Sequence, residues 1–327
     1  MRFAIIIATI AHMSKKKPLI GFVGQGFVGK NYADDMERRG YTTIRYALEE
    51  PYRANREKLK EADIVFVCVP TPTTTKGFDA SIVESGVGLV GKGKIAVIKS
   101  TLLPGTTECV QKKYPDHIVL CSPEFLSVAT AAWDAAHPFS NIVGLPKNTL
   151  KHRAAAKQVL DVLPKTPFSV ISKSVEAEII KYTHNASGYV QVILFNIMYD
   201  LVRTMGADWN IVQRAIEADP MVSNRYAKPV HKSGRGAGGF CFIKDFAALR
   251  ELYGKNLPQD KYGRAALLAI ERKNVALLTH SNKDLDLLRG VYGDEPQFKV
   301  DTLGGKFAAR KESRTKVTRT AKRKSRA

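Results

Sequence analysis

The chain has 327 residues, 44% of them hydrophobic and 25% charged, which is enough to form two ordinary globular domains. Its formal net charge is +20, and its four cysteines form no CxxC pair, so neither a zinc ribbon nor a dense disulfide framework is indicated. We therefore predict no metal site and a protein of a reducing compartment, the cytoplasm.

Residues 1–16 are predicted to be an N-terminal extension. Their apolar run from Phe3 to Ile10 is too short to span a bilayer. Arg2 alone makes a weak positively charged region, and no convincing cleavage site of small residues follows, so a secretory signal is not indicated. We expect no association with a membrane.

The next region, residues 17–146, is predicted to form a doubly wound parallel sheet. An apolar strand over residues 19–23 leads directly into Gly24, Gly26 and Gly29 and then into a polar helix, the context that makes a GxGxxG match informative. Five further segments are typical of strands: residues 42–46, 62–69, 94–99, 118–120 and 141–143. The alternation of strands with helical segments indicates an α/β fold of the Rossmann type.

The glycine loop would hold the pyrophosphate of a dinucleotide at a helix N-terminus, where free N–H groups and the helix dipole favour anions. Its candidate cofactor-binding residues are Gly24, Gln25, Gly26, Phe27, Val28 and Gly29. An acid usually ends the second strand and binds the ribose hydroxyls, but Arg45 and Tyr46 stand there. Arg45 would accept the 2′-phosphate of NADP, or it is simply a surface residue, so NAD and NADP are both open.

Residues 147–280 are predicted to form a second, mostly α-helical domain. Helical patterns cover residues 151–163, 174–205, 209–218, 245–253 and 264–279. The longest pattern carries apolar residues at helical spacing, which is typical of a core helix or of a dimer seam. We predict that the chain forms a homodimer.

Two groups in this second domain are candidates for chemistry. Lys181 and Asn185 lie four residues apart and so share one face of the long helix, where both are donors suited to an oxyanion. Cys241 follows a glycine-rich run and precedes Lys244 and Asp245. Its thiol would be a nucleophile if Lys244 lowered the thiol pKa, or it would pack as a small hydrophobe.

Residues 281–327 are predicted to be a basic, disordered tail. Nine basic residues and one acid follow Ala309, so this end supplies about +8 of the net charge. Residues 310–327 have almost no large apolar side chains with which to form a core. Such a tail would hold nucleic acid or another anionic surface through phosphate contacts, or it is solvated without a partner.

Several segments occur together in one order: residues 69–73, 100–107, 122–126, the Lys181 and Asn185 pair, and residues 238–245. With the glycine loop, they resemble the nucleotide-sugar dehydrogenases, the UDP-glucose and GDP-mannose dehydrogenase family. The resemblance covers about residues 17–253. It implies a central helical domain like the C-terminal domain of 6-phosphogluconate dehydrogenase. Related β-hydroxyacid dehydrogenases look similar in the glycine loop and the lysine–asparagine helix but lack the cysteine segment.

Members of this family oxidise a primary alcohol of a sugar nucleotide to a carboxylate, with two hydride transfers to NAD⁺ and no release of the aldehyde. The resemblance implies that Cys241 is the nucleophile, by way of a thiohemiacetal and a thioester, and that Lys181 and Asn185 stabilise the oxyanion. It also implies that Asp245, with Glu124 and Thr101, handles the water and the alcohol proton.

The resemblance further implies a set of binding residues. Those for the cofactor, besides the glycine loop and Arg45, are Val69, Pro70, Thr71, Pro72, Thr101 and Lys244. Those for a substrate like UDP-glucose are Glu124, Phe125, Leu126, Lys181, Asn185, Arg225, Lys232, Gly236 and Gly238. Arg225 would act across the interface of the homodimer. The product would be a uronic acid of the kind used in polysaccharide biosynthesis.

Three departures from the family leave alternatives open. Val128 stands where the family commonly has an acid, and the acid expected at the end of the second strand is absent. Only about seventy residues follow Tyr253, where family members continue with a further nucleotide-binding domain of roughly one hundred residues. The alternatives are a catalytically impaired NAD-binding protein with a nucleic-acid-binding or assembly role, and a hydroxyacid dehydrogenase that uses only Lys181 and Asn185.

Overall fold

The computed structural model describes residues 17–294. In chain order, the strands are β1 (Ile20–Val23), β2 (Thr43–Tyr46), β3 (Ile64–Val67), β4 (Thr73–Thr74), β5 (Gly77–Phe78), β6 (Ile95–Ile98), β7 (Ile118–Cys121), β8 (Ser140–Leu145), β9 (Phe168–Lys173), β10 (Val230–His231) and β11 (Gly234–Arg235). The α-helices are α1 (Phe27–Arg38), α2 (Ser81–Val87), α3 (Thr106–Lys113), α4 (Ala131–Ala136), α5 (Leu150–Val162), α6 (Ser174–Thr204), α7 (Trp209–Ala218), α8 (Gly239–Asn256), α9 (Lys261–His280) and α10 (Leu285–Tyr292). The predicted N-terminal extension and the basic residues from Arg310 onward lie outside the described residues.

A seven-stranded sheet organises the first part of the fold, with the strand order β2-β1-β3-β6-β7-β8-β9. The first five strands of this order pair in parallel. β8 is antiparallel to β7, and β9 pairs in parallel with β8. The predicted Rossmann-like doubly wound sheet followed by a helical domain is therefore confirmed, and the antiparallel pairing of β8 with β7 is a detail that the sequence did not predict.

Both faces of this sheet are covered by apolar packing. β1, β3, β6 and β7 are buried along their whole length, which explains their nearly continuous apolar sequences. Phe22 and Phe66 pack with α1 and α5 on one face, and Val65 and Val67 pack with α2 and α3 on the other. The carboxyl ends of the parallel strands therefore meet at one edge, where open α/β sheets bind their ligands.

β9 is a strand that the sequence pattern does not predict. It lies at the edge of the sheet, and each of its residues is exposed or half-buried, so it lacks the continuous apolar run of the inner strands. Because α5 and β9 belong to the sheet layer, we place the boundary between the two domains after Lys173 rather than at residue 146.

The 31-residue helix α6 connects the sheet to the helical domain and contacts β8, α3 and α8. Its start is fixed by Glu176, whose Oε2 accepts a hydrogen bond from the N–H of Lys173 at 2.8 Å. A side chain at Gly188 would lie 2.9 Å from the rings of Phe242 and Tyr226. Glycine at this position therefore allows α8 and the segment before it to approach α6 closely.

The structure shifts two predicted boundaries near the cysteine. α8 begins at Gly239, six residues before the predicted start, so Cys241, Lys244 and Asp245 share its first two turns. α10 lies inside the segment predicted as a disordered tail, and that prediction is wrong for this helix. The physical reason is packing, because α10 contacts α8 and β4 and buries Leu288, whereas the dense run of basic residues begins only at Arg310.

One face of α6 carries a row of apolar side chains that the described residues leave exposed. We call this row the α6 stripe; its members are Ile179, Ile180, Val190, Leu194, Ile197, Met198 and Leu201, together with Met205, the residue that caps the C-terminal end of the helix. None of the helices within residues 17–294 is both long enough and apolar enough to cross a membrane.

Candidate active site

The glycine loop connects β1 to α1, and two of its glycines are required by the backbone. Gly24 has a φ of +91°, and a side chain there would lie 2.4 Å from the carbonyl oxygen of Cys68. At Gly29 an added Cβ would lie 1.9 Å from the carbonyl oxygen of Gly24. Gly26 precedes α1 without a side-chain cap, and nothing lies within 4 Å of its missing Cβ. The first N–H groups of α1 are thus open to an anion.

The segment Val69, Pro70, Thr71 and Pro72 follows β3, and Ser100 and Thr101 follow β6, the neighbouring strand. Ser100 joins these two segments, since its Oγ donates to the carbonyl oxygen of Val69 at 2.6 Å and accepts from the N–H of Val69 at 3.1 Å. Both segments therefore lie at the same edge of the sheet as the glycine loop.

Lys181 and Glu124 form a buried ion pair. The Lys181 Nζ donates to the Oε1 of Glu124 at 2.9 Å and to the backbone carbonyl of Glu124 at 2.6 Å, and the two residues are 4% and 7% exposed. Burial acts to lower the pKa of Lys181, but attraction to Glu124, Cys241 and Asp245 outweighs it, so the pKa is raised. Lys181 is therefore a charged donor inside the protein.

Asp245 joins the two domains through its neighbours. Its Oδ2 accepts from the Nδ2 of Asn185 at 2.7 Å, and its Oδ1 accepts from the Nζ of Lys244 at 2.6 Å. The same Lys244 Nζ reaches the Oγ1 of Thr71 at 3.4 Å. One carboxylate thus connects α6 and α8, and its lysine partner contacts the segment that follows β3.

Cys241 lies in the first turn of α8, and the residue as a whole is exposed. Burial of the thiol raises its pKa and Asp245 raises it further, and this outweighs the opposing effects of Lys181 and Lys244. Lys244 therefore acts on the thiol pKa in the direction that the sequence suggested, but burial and Asp245 outweigh it and the net shift is upward. In this state the thiol is protonated near neutral pH.

α6 carries a third buried polar residue, Glu178, which the sequence pattern does not single out. Its carboxylate accepts from the N–H of Gly105 at 2.6 Å, the N–H of Thr107 at 2.8 Å and the Oγ1 of Thr107 at 2.6 Å. Its spacing of three residues from Lys181 places both on one face of the helix, and that spacing is the signal that would have found it. We call Glu178, Lys181 and Asn185 the polar row of α6.

The loop that Glu178 holds is the loop that follows Thr101. A cavity of about 10 Å³ is lined by Ser100, Thr101, Leu102, Cys121, Pro123, Glu178 and Lys181. Thr101 itself is 9% exposed. Thr101 and Lys181 therefore line the same small cavity.

Lys99 is a second buried residue that the sequence pattern does not single out. It directly follows β6, is 2% exposed, donates to the Oγ of Ser122 at 3.1 Å and lies 4.4 Å from the centre of the Tyr32 ring. Burial lowers the pKa of Lys99 to about 8. It links α1 to the segment that follows β7 and carries Glu124.

The candidate substrate residues fall into two groups. Phe125 packs against His184, and Arg225 lies close enough to His184 to lower its pKa, although burial of the imidazole contributes more. Leu126 donates its N–H to the Oε2 of Glu124 at 2.7 Å. By contrast, Lys232 is exposed at the turn between β10 and β11, and none of the contacts described within residues 17–294 joins it to Lys181.

Gly236 and Gly238 precede α8 within the helical domain. Side chains at these positions would lie 3.0 Å from the Oδ1 of Asn274 and 2.0 Å from the Oδ2 of Asp284, respectively. The backbone here is therefore packed against α9 and the turn that follows it. Val128, which replaces the acid common in the resembled family, is 76% exposed.

Arg45 is not the exposed surface residue that one interpretation expected. Its side chain is 12% exposed, and its guanidinium binds Asp34 at 2.7 Å and Glu37 at 2.6 Å, both on α1. Burial opposes the charge, but these two carboxylates outweigh it and raise the pKa of Arg45. Asp34 also binds Lys30 at 2.6 Å, so the charges of this cluster balance, and Arg45 would have to give up both carboxylate partners to bind the 2′-phosphate of NADP.

All four cysteines of the chain are free thiols. No group of three or more His, Cys, Asp and Glu side chains in the described range is arranged to hold a metal ion.

Two segments of the chain match one protein family. Residues 45–162 match the UDP-glucose/GDP-mannose dehydrogenase family, NAD binding domain, and residues 175–268 match the central domain of the same family. The chain belongs to the UDP-glucose/GDP-mannose dehydrogenase family. The second match contains Lys181, Asn185, Cys241 and Asp245.

Similar proteins include a putative UDP-glucose 6-dehydrogenase, YtcA, of Bacillus subtilis, which is 28% identical over 78% of this chain and 57% of that protein. The UDP-glucose 6-dehydrogenase of Rickettsia bellii is 28% identical over 64% of this chain and 50% of that protein. The chain thus spans little more than half the length of these relatives.

Solved structures show the same fold. A UDP-glucose dehydrogenase from Pyrobaculum islandicum superposes with a TM-score of 0.67 at 23% identity, covering 80% of this chain and 69% of that chain. A 3-hydroxyisobutyrate dehydrogenase from Mycobacterium tuberculosis superposes with a TM-score of 0.62 at 15% identity, covering 84% of this chain and 98% of that chain.

The family match identifies NAD as the cofactor, and the glycine loop fits such a ligand. The uncapped start of α1, the open space at Gly26 and the buried Oε1 of Gln25, which has no hydrogen-bond partner in the described residues, all lie in this loop. The ion pairs of Arg45 agree with NAD rather than NADP.

The Arg45 cluster predicts cofactor preference. In an Asp34→Asn, Glu37→Gln double variant the guanidinium loses both charged partners, so the ratio of NADP to NAD affinity should rise by about tenfold, the value of one charge-assisted contact. Titration with both dinucleotides, followed by calorimetry, measures this ratio. Asp161→Asn, which removes an exposed carboxylate paired with Lys157, is the control. An unchanged ratio in the double variant would contradict the assignment.

The raised pKa of Cys241 predicts slow modification at neutral pH. Because the thiolate is the nucleophile, the rate of alkylation by iodoacetamide should keep rising above pH 9.0, the ordinary pKa of a cysteine thiol. Mass analysis of the Cys241 peptide measures this rate without interference from the exposed Cys109. A plateau of the Cys241 rate below pH 9.0 would show that nearby cations dominate instead.

Proposed function

We propose that this chain oxidises the C6 primary alcohol of a nucleotide sugar resembling UDP-glucose to a uronic acid. The observation that carries the proposal is the convergence of α6 and α8. Asn185 binds Asp245, four residues after Cys241 on α8, and Lys181 is close enough to Cys241 to influence its pKa. A thiol, two oxyanion donors and a carboxylate are thus gathered at one place.

In this proposal the glycine loop holds the dinucleotide pyrophosphate, and Thr71, Thr101 and Lys244 lie along the remainder of the cofactor. NAD⁺, when bound, accepts the hydride that leaves the sugar carbon in each of two oxidations. The overall reaction converts one alcohol, one water and two NAD⁺ into one carboxylate, two NADH and three protons.

Cys241 is the covalent residue of the proposal. After the alcohol has become an aldehyde, the Sγ of Cys241 forms a bond to the carbonyl carbon, the C=O double bond becomes a single bond, and the thiol proton is transferred to the former carbonyl oxygen. The resulting thiohemiacetal becomes a thioester in the second oxidation. Water then adds to the thioester carbon, the C–S bond breaks, and the thiol is regenerated with release of the carboxylate.

Lys181 and Asn185 would stabilise the oxyanion at each tetrahedral stage. An ammonium has three N–H donors, and Lys181 uses two of them on Glu124. The Asn185 amide has two N–H donors, and one of them binds Asp245. Each side chain therefore keeps one donor for the substrate while its position is fixed by the other contacts.

Glu124 and Asp245 would carry protons. Both are buried carboxylates that accept hydrogen bonds from lysine side chains, and each would take a proton from the alcohol or from water. Thr101, beside Lys181, would orient the water. This division of roles follows the family resemblance and the contacts of these residues.

The α6 stripe supports the proposal of a homodimer. Its eight apolar side chains lie exposed along one helix, and an apolar surface of this extent is typical of a protein interface. A second copy of α6 is the occupant that fits best, because a twofold axis would place the stripe against itself. Arg225 would reach the partner's site in such a dimer.

Binding of nucleic acid or an anionic surface by the basic tail, and a cytoplasmic location, stay predictions.

The proposed reaction is tested by adding NAD⁺ and one of UDP-glucose, GDP-mannose or a UDP-N-acetyl sugar to the purified protein. We expect two NADH for each uronate formed. Cys241→Ser should lower kcat for uronate by about a thousandfold or more, and Lys181→Met should lower it by about a hundredfold or more, as expected for loss of one oxyanion donor. Absorbance of NADH and mass detection of the uronate are the measurements.

Cys109→Ser, at an exposed cysteine of α3, is the matched control and should retain full activity. Absence of NADH with every sugar nucleotide, while NAD⁺ still binds, would refute the proposal. Turnover of a hydroxy acid that survives Cys241→Ser would favour the hydroxyacid dehydrogenase alternative, which needs only Lys181 and Asn185.

The dimer is tested by light scattering. The native chain should have the mass of two copies at micromolar concentration, and Leu194→Glu should yield the mass of one copy, because a charge at the centre of the stripe would be buried in the interface. Leu150→Glu changes a leucine at the start of α5, outside the stripe, that is more exposed than Leu194 (88% against 51%), and this variant should stay dimeric. A native chain that is monomeric would refute the dimer.

A further inference from the structure

The backbone that precedes Cys241 is held by side chains from a segment that lies beyond the family match. We call residues 234–238, together with Gly239 at the start of α8, the cysteine-side glycine loop. Its partners lie in residues 274–284, whereas the central-domain match ends at residue 268. These partners come from the second half of α9 and from the turn between α9 and α10.

Asn274 binds both backbone polar groups of Ala237, in the middle of this loop. Its Oδ1 accepts from the N–H of Ala237 at 2.7 Å, and its Nδ2 donates to the carbonyl oxygen of Ala237 at 3.0 Å. Asn274 is 1% exposed and Ala237 is also 1% exposed. A buried amide that satisfies both backbone groups of one residue fixes the orientation of that peptide.

Ser281 and Lys283 bind the residues before Ala237. The Ser281 Oγ accepts from the N–H of Arg235 at 3.0 Å. The Lys283 Nζ donates to the carbonyl oxygen of Gly236 at 2.9 Å and reaches that of Gly234 at 3.4 Å. Lys283 is 5% exposed, and burial lowers its pKa. An ammonium is thus buried to bind two carbonyl groups of a glycine loop.

Asp284 binds the residue at which α8 begins. Its Oδ2 accepts from the N–H of Gly239 at 2.8 Å, two residues before Cys241. Asp284 has a φ of +52° and Asn282 a φ of +53°, so Lys283 lies between two residues in the left-handed region. Such conformations are costly for residues other than glycine and persist where the surroundings over-determine them.

We propose that Lys283 and Asp284 are positioning residues for Cys241. They form one turn that holds the loop and the first residue of α8 from outside, and so determine where the thiol lies relative to Lys181 and Asp245. The inference rests on the proposed role of Cys241. Four side chains bind one short loop, and the turn that supplies three of them contains two residues in the left-handed region.

The test measures the reactivity of Cys241 without a substrate. In Asp284→Ala and Lys283→Met the loop loses its partners, so the thiol becomes more accessible. The rate of iodoacetamide modification at Cys241, divided by the rate at the exposed Cys109 in the same molecule, should rise by about fivefold, the factor that corresponds to one lost hydrogen bond. Peptide mass analysis gives both rates. Asp284→Asn keeps an oxygen acceptor and should stay near the native ratio.

Asp286→Ala is the matched control. Asp286 lies two residues after Asp284, and the side chain of Asp286 is 95% exposed. This variant should leave the ratio unchanged. Thermal unfolding shows which variants are folded. If Asp284→Ala does not fold, Lys283→Met decides the outcome. An unchanged Cys241 to Cys109 ratio in a folded Lys283→Met protein would overturn the proposal, as would an equal rise in Asp286→Ala.

The kinetic readout separates this inference from the proposed function. If a nucleotide sugar is turned over, Asp284→Ala should lower kcat more than it raises KM, and Asp284→Asn should restore most of kcat. If no nucleotide sugar is turned over, the alkylation ratio still tests whether Lys283 and Asp284 position Cys241. A rise in this ratio without any turnover would support the positioning role and refute the proposed dehydrogenase function.

Discussion

The polar row of α6 is the constraint on which the arrangement of the site depends. Glu178, Lys181 and Asn185 are between 3% and 6% exposed, and a buried polar group without a partner costs about 1–3 kcal/mol or more. Their partners lie in three separate segments: the loop that follows β6, the segment that follows β7, and α8. Sliding or rotating α6 by one residue would leave all three without partners, so the helix has one satisfactory position.

Contacts of the Lys244 side chain connect the sheet domain to the surroundings of Cys241. Lys244 binds Asp245 within α8 and reaches Thr71 in the segment that follows β3. A change in the cofactor segment would therefore alter the charge next to Cys241. The thiol is protonated in the present state because its burial and Asp245 outweigh the nearby cations. The ionisation of this thiol is therefore a property of both domains together rather than of the cysteine motif.

Much of this could be predicted from the sequence because the signals are local. The continuous apolar strands, the glycine loop and the four-residue spacing of Lys181 and Asn185 follow from chain periodicity and from the φ and steric limits of glycine. β9 and α10 could not, since β9 is an edge strand without an apolar run and α10 is stabilised by contacts with α8 and β4. The spacing places Glu178 on the same helix face as Lys181, but only the structure shows that Glu178 binds the loop at Gly105 and Thr107.

By itself, then, the sequence determined the order of the motifs, the fold class and the family, because these depend on residue types at fixed separations along the chain. Only the tertiary structure decided the electrostatics and the supports of the site. Whether Arg45 is free, whether Lys244 lowers the pKa of Cys241, and what holds the cysteine-side glycine loop all depend on partners far away in the chain. The physical reason is that desolvation and charge pairing depend on the atoms within a few ångströms of a group, and the tertiary fold determines which atoms those are.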